Sequence, residues 1–450
     1  MPERAQQKRR ADPTSRLITA ALYLIVGFSF LAFCDRNSYQ QLAGSWVAHL
    51  LLVALSILLY LRCPPRGVYL LGPAILLWML ITTLAKEPFP QTLLPGRTHF
   101  SEQCAVFCIA LPFSRFIGAA GRRHLNRILL VIVLLMACMI WLCLTGTFTG
   151  QTITLFHNGL SFGARYTETG RLKLRVLNLH YYHLGYLSVL CFFITLYFAA
   201  AKPARRWRPV WILLLLTFAA STLMTYSRNA VFALLFGLLA ALYLLLQKLC
   251  RQKTLRIVIF CCCAAGGLLL TCAGMNLIYR AVHSIRDVWY GLSTLSSRTE
   301  IWSGGIRALL SHPQAILLGF PPDTGMETIN RFIQPESHIS HMHSGFMEML
   351  VSFGLPGLIL LAVLCVIILK RCCRLFFSSP EMGISPGNRM LSLIPVLVMQ
   401  MNLFDCLFPF QRRLPVLIPL ICALVSGCIV ESCRGCGLQD SACHQPNFSC

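Results

Sequence analysis

Charge is what this sequence has least of. Charged residues make up 12% of its 450 positions, and hydrophobic residues 56%. Water-soluble domains are nearer half apolar and a quarter charged. A soluble chain of this composition would have too little polar surface to cover its apolar residues, so lipid is the solvent that fits. The apolar stretches are continuous rather than alternating, which disfavours a membrane β-barrel. Backbone polar groups in lipid must be satisfied within the segment, so continuous apolar runs are read as helices.

Acidic residues are scarcer still. There are 16 Asp and Glu against 39 Lys and Arg, a formal net charge of +23. Such an excess suggests nucleic acid when it stands alone. Here the basic residues fall in short clusters between apolar runs, as topology signals do. The 22 cysteines lie largely inside apolar runs, Cys261, Cys262 and Cys263 among them. A buried thiol behaves as a small hydrophobe, and no disulfide framework is indicated. Cys433 and Cys436 have zinc-like spacing, but Cys443 and Cys450 follow too loosely to complete a site.

A membrane span needs about 20 apolar residues, and about twelve such stretches are found. They are 17–34, 43–61, 68–84, 104–120, 128–146, 180–200, 209–224, 229–247, 255–275, 345–369, 390–408 and 414–431. The expected fold is an all-α polytopic bundle of about twelve transmembrane helices, with a long exterior loop holding short amphipathic helices. Residues 1–16 form a basic amino terminus, 17–275 spans one to nine, 276–344 the loop, 345–431 the last three spans, and 432–450 a Cys-rich tail. The first span lacks a convincing cleavage site and is read as uncleaved.

Even alternation puts Arg4, Lys8, Arg9, Arg10 and Arg16 on one side with the clusters around Arg62, Arg122, Lys202, Lys248 and Lys370. That side is expected to be cytoplasmic, with both termini on it. The other side holds a loop at 147–179 with Arg165, Arg171, Lys173 and Arg175, a tight turn at Tyr226-Ser227-Arg228-Asn229, and the long loop. Basic residues there run against the topological bias and require another reason.

The long loop contains a capping box, Ser297-Arg298-Thr299-Glu300. Ile301, Trp302, Ile306, Leu309 and Leu310 follow as an apolar stripe, and His312-Pro313 ends the helix. Arg298 then stands at the first helical position, where free N–H groups and the macrodipole favour an anion. An interfacial helix with a solvated arginine fits this segment equally well. Arg228 sits in a turn too short to leave the membrane surface. Its fork suits two oxygens of one phosphate, although an arginine there can simply snorkel. His338, His341 and His343 precede the tenth span. No nearby Asp or Cys completes a metal site, so one histidine acting as base or orienting a hydroxyl is the expectation.

Three stretches carry a family likeness. They are Tyr226-Ser227-Arg228-Asn229 leading into an apolar helix; Arg298-x-x-x-Trp302 with Leu309-Leu310-x-His312-Pro313 and Leu318-Gly319-Phe320; and His343-Ser344-Gly345-Phe346 with Glu348, Gly354 and Gly357. In order and spacing the chain resembles the O-antigen ligase and polymerase superfamily of integral-membrane glycosyltransferases. The family's usual Asn after the histidine is Ser344 here; serine also donates and accepts, with shorter reach.

The resemblance implies a metal-independent, inverting transfer of glycan from a polyprenyl-diphosphate carrier to a sugar hydroxyl on a glycan or glycolipid acceptor, in the plasma (inner) membrane, as a polymerase or ligase. It assigns Arg228 and Arg298 to the diphosphate and His343 to the acceptor. Arg171, Arg175, Tyr226, Ser227, His338, His341 and Ser344 are expected around the substrates. No cofactor is expected, and no exterior DxD-like cluster argues for a metal. The competing class is a transporter or flippase of a lipid-linked or anionic substrate. The spans hold few charges and no duplicated halves, which disfavours it.

Overall fold

In the computed structural model the described residues are 67–86, 122–148, 153–155, 160–166, 172–176, 181–200, 205–225, 227–249, 298–321, 324–333, 341–378, 386–405 and 417–435, with isolated positions between them. Helices α1 (Leu71–Lys86), α2 (Arg122–Phe148), α3 (Tyr181–Ala200), α4 (Arg208–Met224) and α5 (Arg228–Leu249) precede the long loop. The loop carries α6 (Arg298–Ser311), α7 (Pro313–Leu318) and α8 (Gly325–Asn330). Beyond it come α9 (Gly345–Phe376), α10 (Pro386–Leu391), α11 (Leu393–Phe404) and α12 (Leu417–Gly435).

These helices coincide with the apolar runs at 68–84, 128–146, 180–200, 209–224, 229–247, 345–369, 390–408 and 414–431. The runs at 17–34, 43–61, 104–120 and 255–275 lie almost wholly outside the described residues. Among the described residues, four helices are long and apolar enough to cross a membrane: His124–Thr145, Tyr182–Ala200, Arg228–Gln247 and Gly345–Phe376. Leu71–Lys86 and Arg208–Met224 are apolar but shorter. The protein is an integral membrane protein of helical architecture, and twelve full-length spans are not reached among these residues. One reason is visible at 390–408, where the run is split into α10 and α11 at Ser392.

The loop at 147–179 departs from the all-α expectation. It contains three short strands, β1 (Ile153–Leu155), β2 (Leu160–Tyr166) and β3 (Leu172–Val176), paired antiparallel in the order β1-β2-β3. The third, Leu172-Lys-Leu-Arg-Val176, alternates apolar and basic residues, the period of a strand. Arg165 pairs with Lys173, and Gly163 with Arg175. Arg171 lies outside the described residues.

The core runs through α2, α3, α5, α11 and α12. Leu129, Val133, Leu187, Leu190, Phe193, Ala233, Leu397, Met401 and Leu424 are buried in it. A second cluster joins Ile75 and Met79 of α1 to Met349, Phe353 and Leu361 of α9. The loop helices have their own cluster, built on Ile301, Ala308, Leu309, Phe320, Ile329, Ile333, Met342 and Val351.

Helix α6 starts at Arg298 as the capping pattern predicts, while Ser297 is outside the described residues. Its buried face is Ile301, Gly304, Gly305, Ala308 and Leu309. Ile306 and Leu310, expected in the same stripe, are exposed. The two glycines supply the reason. A Cβ at Gly304 would lie 2.5 Å from Ile333 Cγ1, so the helix docks through its smallest side chains, and residues about half a turn away point outward.

Helix α9 is broken near its start. Pro356 has no N–H to offer the carbonyl of Ser352, and Gly354 leaves helical geometry (φ 71°, ψ −177°). The freed carbonyls find other donors. Phe320 N–H donates to Val351 O (2.7 Å), Lys86 Nζ to Ser352 O (2.5 Å), and Trp78 Nε1 to Phe353 O (2.8 Å). Lys86 Nζ also donates to Phe320 O (3.2 Å). The kink thus fastens α1 and the segment after α7 to α9. Gly319 (φ 78°) faces it, and a Cβ at Gly354 would lie 2.5 Å from the carbonyl carbon of Leu317. Replacement Gly354→Ala combines a left-handed backbone with a backbone clash, so it is expected to destabilise by at least ~1–3 kcal/mol. Thermal unfolding of the detergent-solubilised protein measures the loss.

Candidate active site

Three helices are tied together by side-chain hydrogen bonds at one end of the bundle. Asp405 terminates α11 and is buried. Tyr186 of α3 donates its hydroxyl to Asp405 Oδ2 at 2.8 Å. Asn229, in the first turn of α5, donates from Nδ2 to Tyr186 Oη (3.3 Å) and to Met401 O (2.9 Å). Gln400 Nε2 donates to Asn229 Oδ1 at 2.9 Å. Tyr186, Asn229 and Gln400 Nε2 each find a partner on another helix, as the low dielectric of this region favours, while Gln400 Oε1 has none among the described residues. Gly185 permits the approach, since a Cβ there would lie 2.7 Å from Thr225 Oγ1.

The turn between α4 and α5 is set by Ser227, which is almost fully buried. Its hydroxyl accepts from Ala230 N (3.4 Å) and its carbonyl from Val231 N (2.9 Å). Ser227 therefore caps α5, and Arg228 takes the first helical position with an exposed side chain. Tyr226 lies outside the described residues.

The histidines reach the same end from the long loop. His341 and His343 have ring centroids 4.1 Å apart, tilted by 48°. With Asp405 they form a group whose ligating atoms all lie within 4.8 Å of one another. This carboxylate, from far along the chain, is the partner that local spacing could not reveal. Two imidazoles and a carboxylate can hold a divalent ion, and they can equally make an Asp–His pair for proton transfer. His338 lies outside the described residues.

What fixes the pair is the residue between them. Met342 is fully buried. Its N–H donates to Glu348 Oε2 (2.9 Å), and its carbonyl accepts from Trp302 Nε1 (2.9 Å). Its methyl group lies over Gly305, where any Cβ would collide with it. His343 then takes a left-handed conformation (φ 50°), uncommon for a residue with a side chain. Ser344 follows as N-cap of α9, its hydroxyl accepting from Met347 N (3.5 Å). Trp302, Gly305 and Glu348 are thus positioning residues that hold the two imidazoles at Asp405.

Electrostatics completes the arrangement. Burial lowers the pKa of His343 to about 4, and the neighbouring His341 and the charge of Arg298 push the same way. Asp405 opposes them. Arg298, at the start of α6, is thereby within electrostatic reach of His343. His343 is a neutral imidazole near pH 7, able to accept a proton or a hydrogen bond.

Sequence reasoning missed Tyr186 and Asp405. Both were visible as polar groups within otherwise apolar runs, a pattern that marks function or pairing. Only the packing of α3 against α5 and α11 reveals them as partners. The substitution Glu348→Leu should leave Met342 N–H buried without an acceptor, at a cost of ~1–3 kcal/mol. Gly305→Ala should displace Met342 itself. Both variants are expected to lose activity more than the conservative Met342→Leu, which preserves the backbone bonds, in a glycan-transfer assay with folding checked by thermal melting.

Residues 211–362 match a family model described as O-antigen ligase. A comparison with curated proteins gave no match. The matched segment contains Arg228, Arg298, Trp302, His341, His343 and Glu348, and excludes Tyr186 and Asp405. Over residues 211–362, about a third of the chain, the match supports the likeness to the O-antigen ligase superfamily that the motifs carry.

Proposed function

We propose that this protein transfers glycan from a polyprenyl-diphosphate carrier to a sugar hydroxyl at the exterior face of the membrane, as a surface-polysaccharide polymerase or O-antigen ligase. The observation that carries the reading is the gathering of separate segments around Asp405. Tyr186 binds the carboxylate, and Asn229, which follows Arg228, binds Tyr186. His341 and His343 lie against the same carboxylate, and the charge of Arg298 is felt at His343.

The chemistry follows from the charges. The acceptor hydroxyl attacks the anomeric carbon of the donor from the face opposite the diphosphate. The new bond joins acceptor oxygen to that carbon, the carbon–oxygen bond to phosphate breaks, and the configuration inverts. His343 takes the hydroxyl proton, and Asp405 stabilises the resulting imidazolium. Arg228 and Arg298 hold the departing diphosphate, whose negative charge grows in the transition state. Arg171, Arg175, Tyr226, Ser227, His338, His341 and Ser344 complete the proposed set of substrate-binding residues. In this reading Asp405, which accepts from Tyr186, orients His343, and the step needs no metal ion. Turnover unaffected by chelators supports that point; loss restored by a divalent ion would overturn it.

Replacement His343→Ala or Asp405→Asn should lower turnover by about 10²–10⁴-fold, the usual worth of general-base catalysis. Arg228→Ala and Arg298→Ala should also reduce it. Undiminished transfer by a folded variant removes that residue from the mechanism. In a deletion strain, accumulated single repeats identify a polymerase, and accumulated long chains a ligase.

The pH profile gives a separate test. The neutral imidazole is present above the His343 pKa of about 4 and is lost as pH falls through it. The acid limb of kcat/KM, which reports the free enzyme, should therefore lie well below the ordinary histidine value of ~6.5. The acid limb of kcat should lie higher, because a bound diphosphate stabilises the imidazolium. In His341→Asn the kcat/KM limb should rise, since one neighbouring cation is removed.

A further inference from the structure

A second cationic site lies at the other end of the bundle. Arg389, in α10, is only 5% exposed. Its Nη1 donates to Gln247 Oε1 at 3.1 Å. Its Nε and Nη2 are buried and have no hydrogen-bond partner among the described residues. Those two nitrogens form one edge of the guanidinium, the side that presents two parallel N–H groups to two oxygens of one anion. A buried guanidinium with this edge empty is costly, and an oxyanion is its natural complement.

The place of Arg389 identifies the anion. Gln247 stands near the end of α5, a helix of 22 residues whose first turn holds Arg228 and Asn229. At ~1.5 Å per residue such a helix spans ~33 Å, close to the ~30 Å of bilayer hydrocarbon. Helix α11 likewise runs from beside α10 to Asp405. The Arg389 edge and the His343–Asp405 cluster therefore belong to opposite faces of the membrane. Headgroup depth at the Arg389 face is marked by the start of α4, where Arg206, Trp207 and Arg208 are exposed and Arg206 lies 5.8 Å from the Trp207 ring. Helix α9 ends at this face too, with Lys370, Arg371 and Arg374 near its terminus. The surroundings are cationic, and phosphate is the anion found at that depth.

We propose that Arg389, braced by Gln247, binds a phosphate group at the bilayer face opposite the candidate active site, from an acidic phospholipid headgroup or from soluble phosphate. The site fastens α10 to the end of α5 and is separate from glycan transfer.

The test uses the full chain in detergent, with three probes: dioleoyl phosphatidylglycerol, dioleoylglycerol with the same acyl chains but no phosphate, and inorganic phosphate. Native mass spectrometry counts retained lipid, and thermal unfolding reads stabilisation. Wild-type protein should retain phosphatidylglycerol and melt higher in its presence, with no such gain from dioleoylglycerol. Arg389→Gln should weaken that binding about tenfold or more, as expected for loss of a charge-assisted fork. Arg389→Lys, which keeps the charge but not the edge, should fall between. An Arg389-dependent rise in melting with inorganic phosphate as large as that with phosphatidylglycerol assigns the site to soluble phosphate. Equal binding and equal stabilisation in wild type and Arg389→Gln overturn the proposal. Should Arg389→Gln fail to fold, the wild type decides alone: no gain from either phosphate-bearing probe overturns it.

Discussion

The hydrogen bond from Tyr186 to Asp405 is the interaction on which this end of the molecule depends. A buried carboxylate needs donors from the protein. Tyr186 supplies one from α3, and Asn229 of α5 in turn holds Tyr186. Asn229 and Gln400 then close the connection back to α11. Three helices from distant parts of the chain are fixed in register by polar groups. Apolar packing alone would leave them freer to slide, because it is not directional. Arg228 inherits its position from this network, being one residue from Asn229 at the start of the same helix.

The loop reaches that carboxylate through a different device. Met342 is gripped on three sides, by Glu348, by Trp302 and by the notch at Gly305. Seating Met342 fixes the backbone between the two histidines that lie against Asp405. The left-handed backbone at His343 is held by that grip and by the cap at Ser344. Strain of this kind persists only where the surroundings over-determine it. The family motif reads differently in this light. Trp302 and Glu348 act by placing the histidine rather than by touching substrate, and Ser344 is occupied in ending the loop and starting α9.

The two faces of the bundle contrast in how they treat charge. At one, a carboxylate and two imidazoles gather about a small volume, and burial, helped by His341 and the charge of Arg298, keeps His343 neutral against the pull of Asp405. At the other, the buried guanidinium of Arg389 meets, among the described residues, a neutral amide. The broken start of α9 is a third polar feature, where Lys86 and Trp78 replace the donors that Pro356 removed. All three lie where regular helix ends or fails, because only there do backbone and side-chain polar groups escape the apolar packing.

The sequence by itself determined the helical membrane class, the position of many helices and the start of α6. Each rests on composition or on a local period, and both are properties of neighbouring residues. Arg228, Arg298 and His343 were legible for the same reason: short motifs at helix starts have a recognisable local grammar. The sheet at 153–176, the inward face of α6 through Gly304 and Gly305, and the kink at Gly354 required contacts between segments. So did Asp405, Tyr186 and the role of Glu348. Tertiary structure alone decided these, because a hydrogen bond between helices depends on which faces meet, and no local period encodes that.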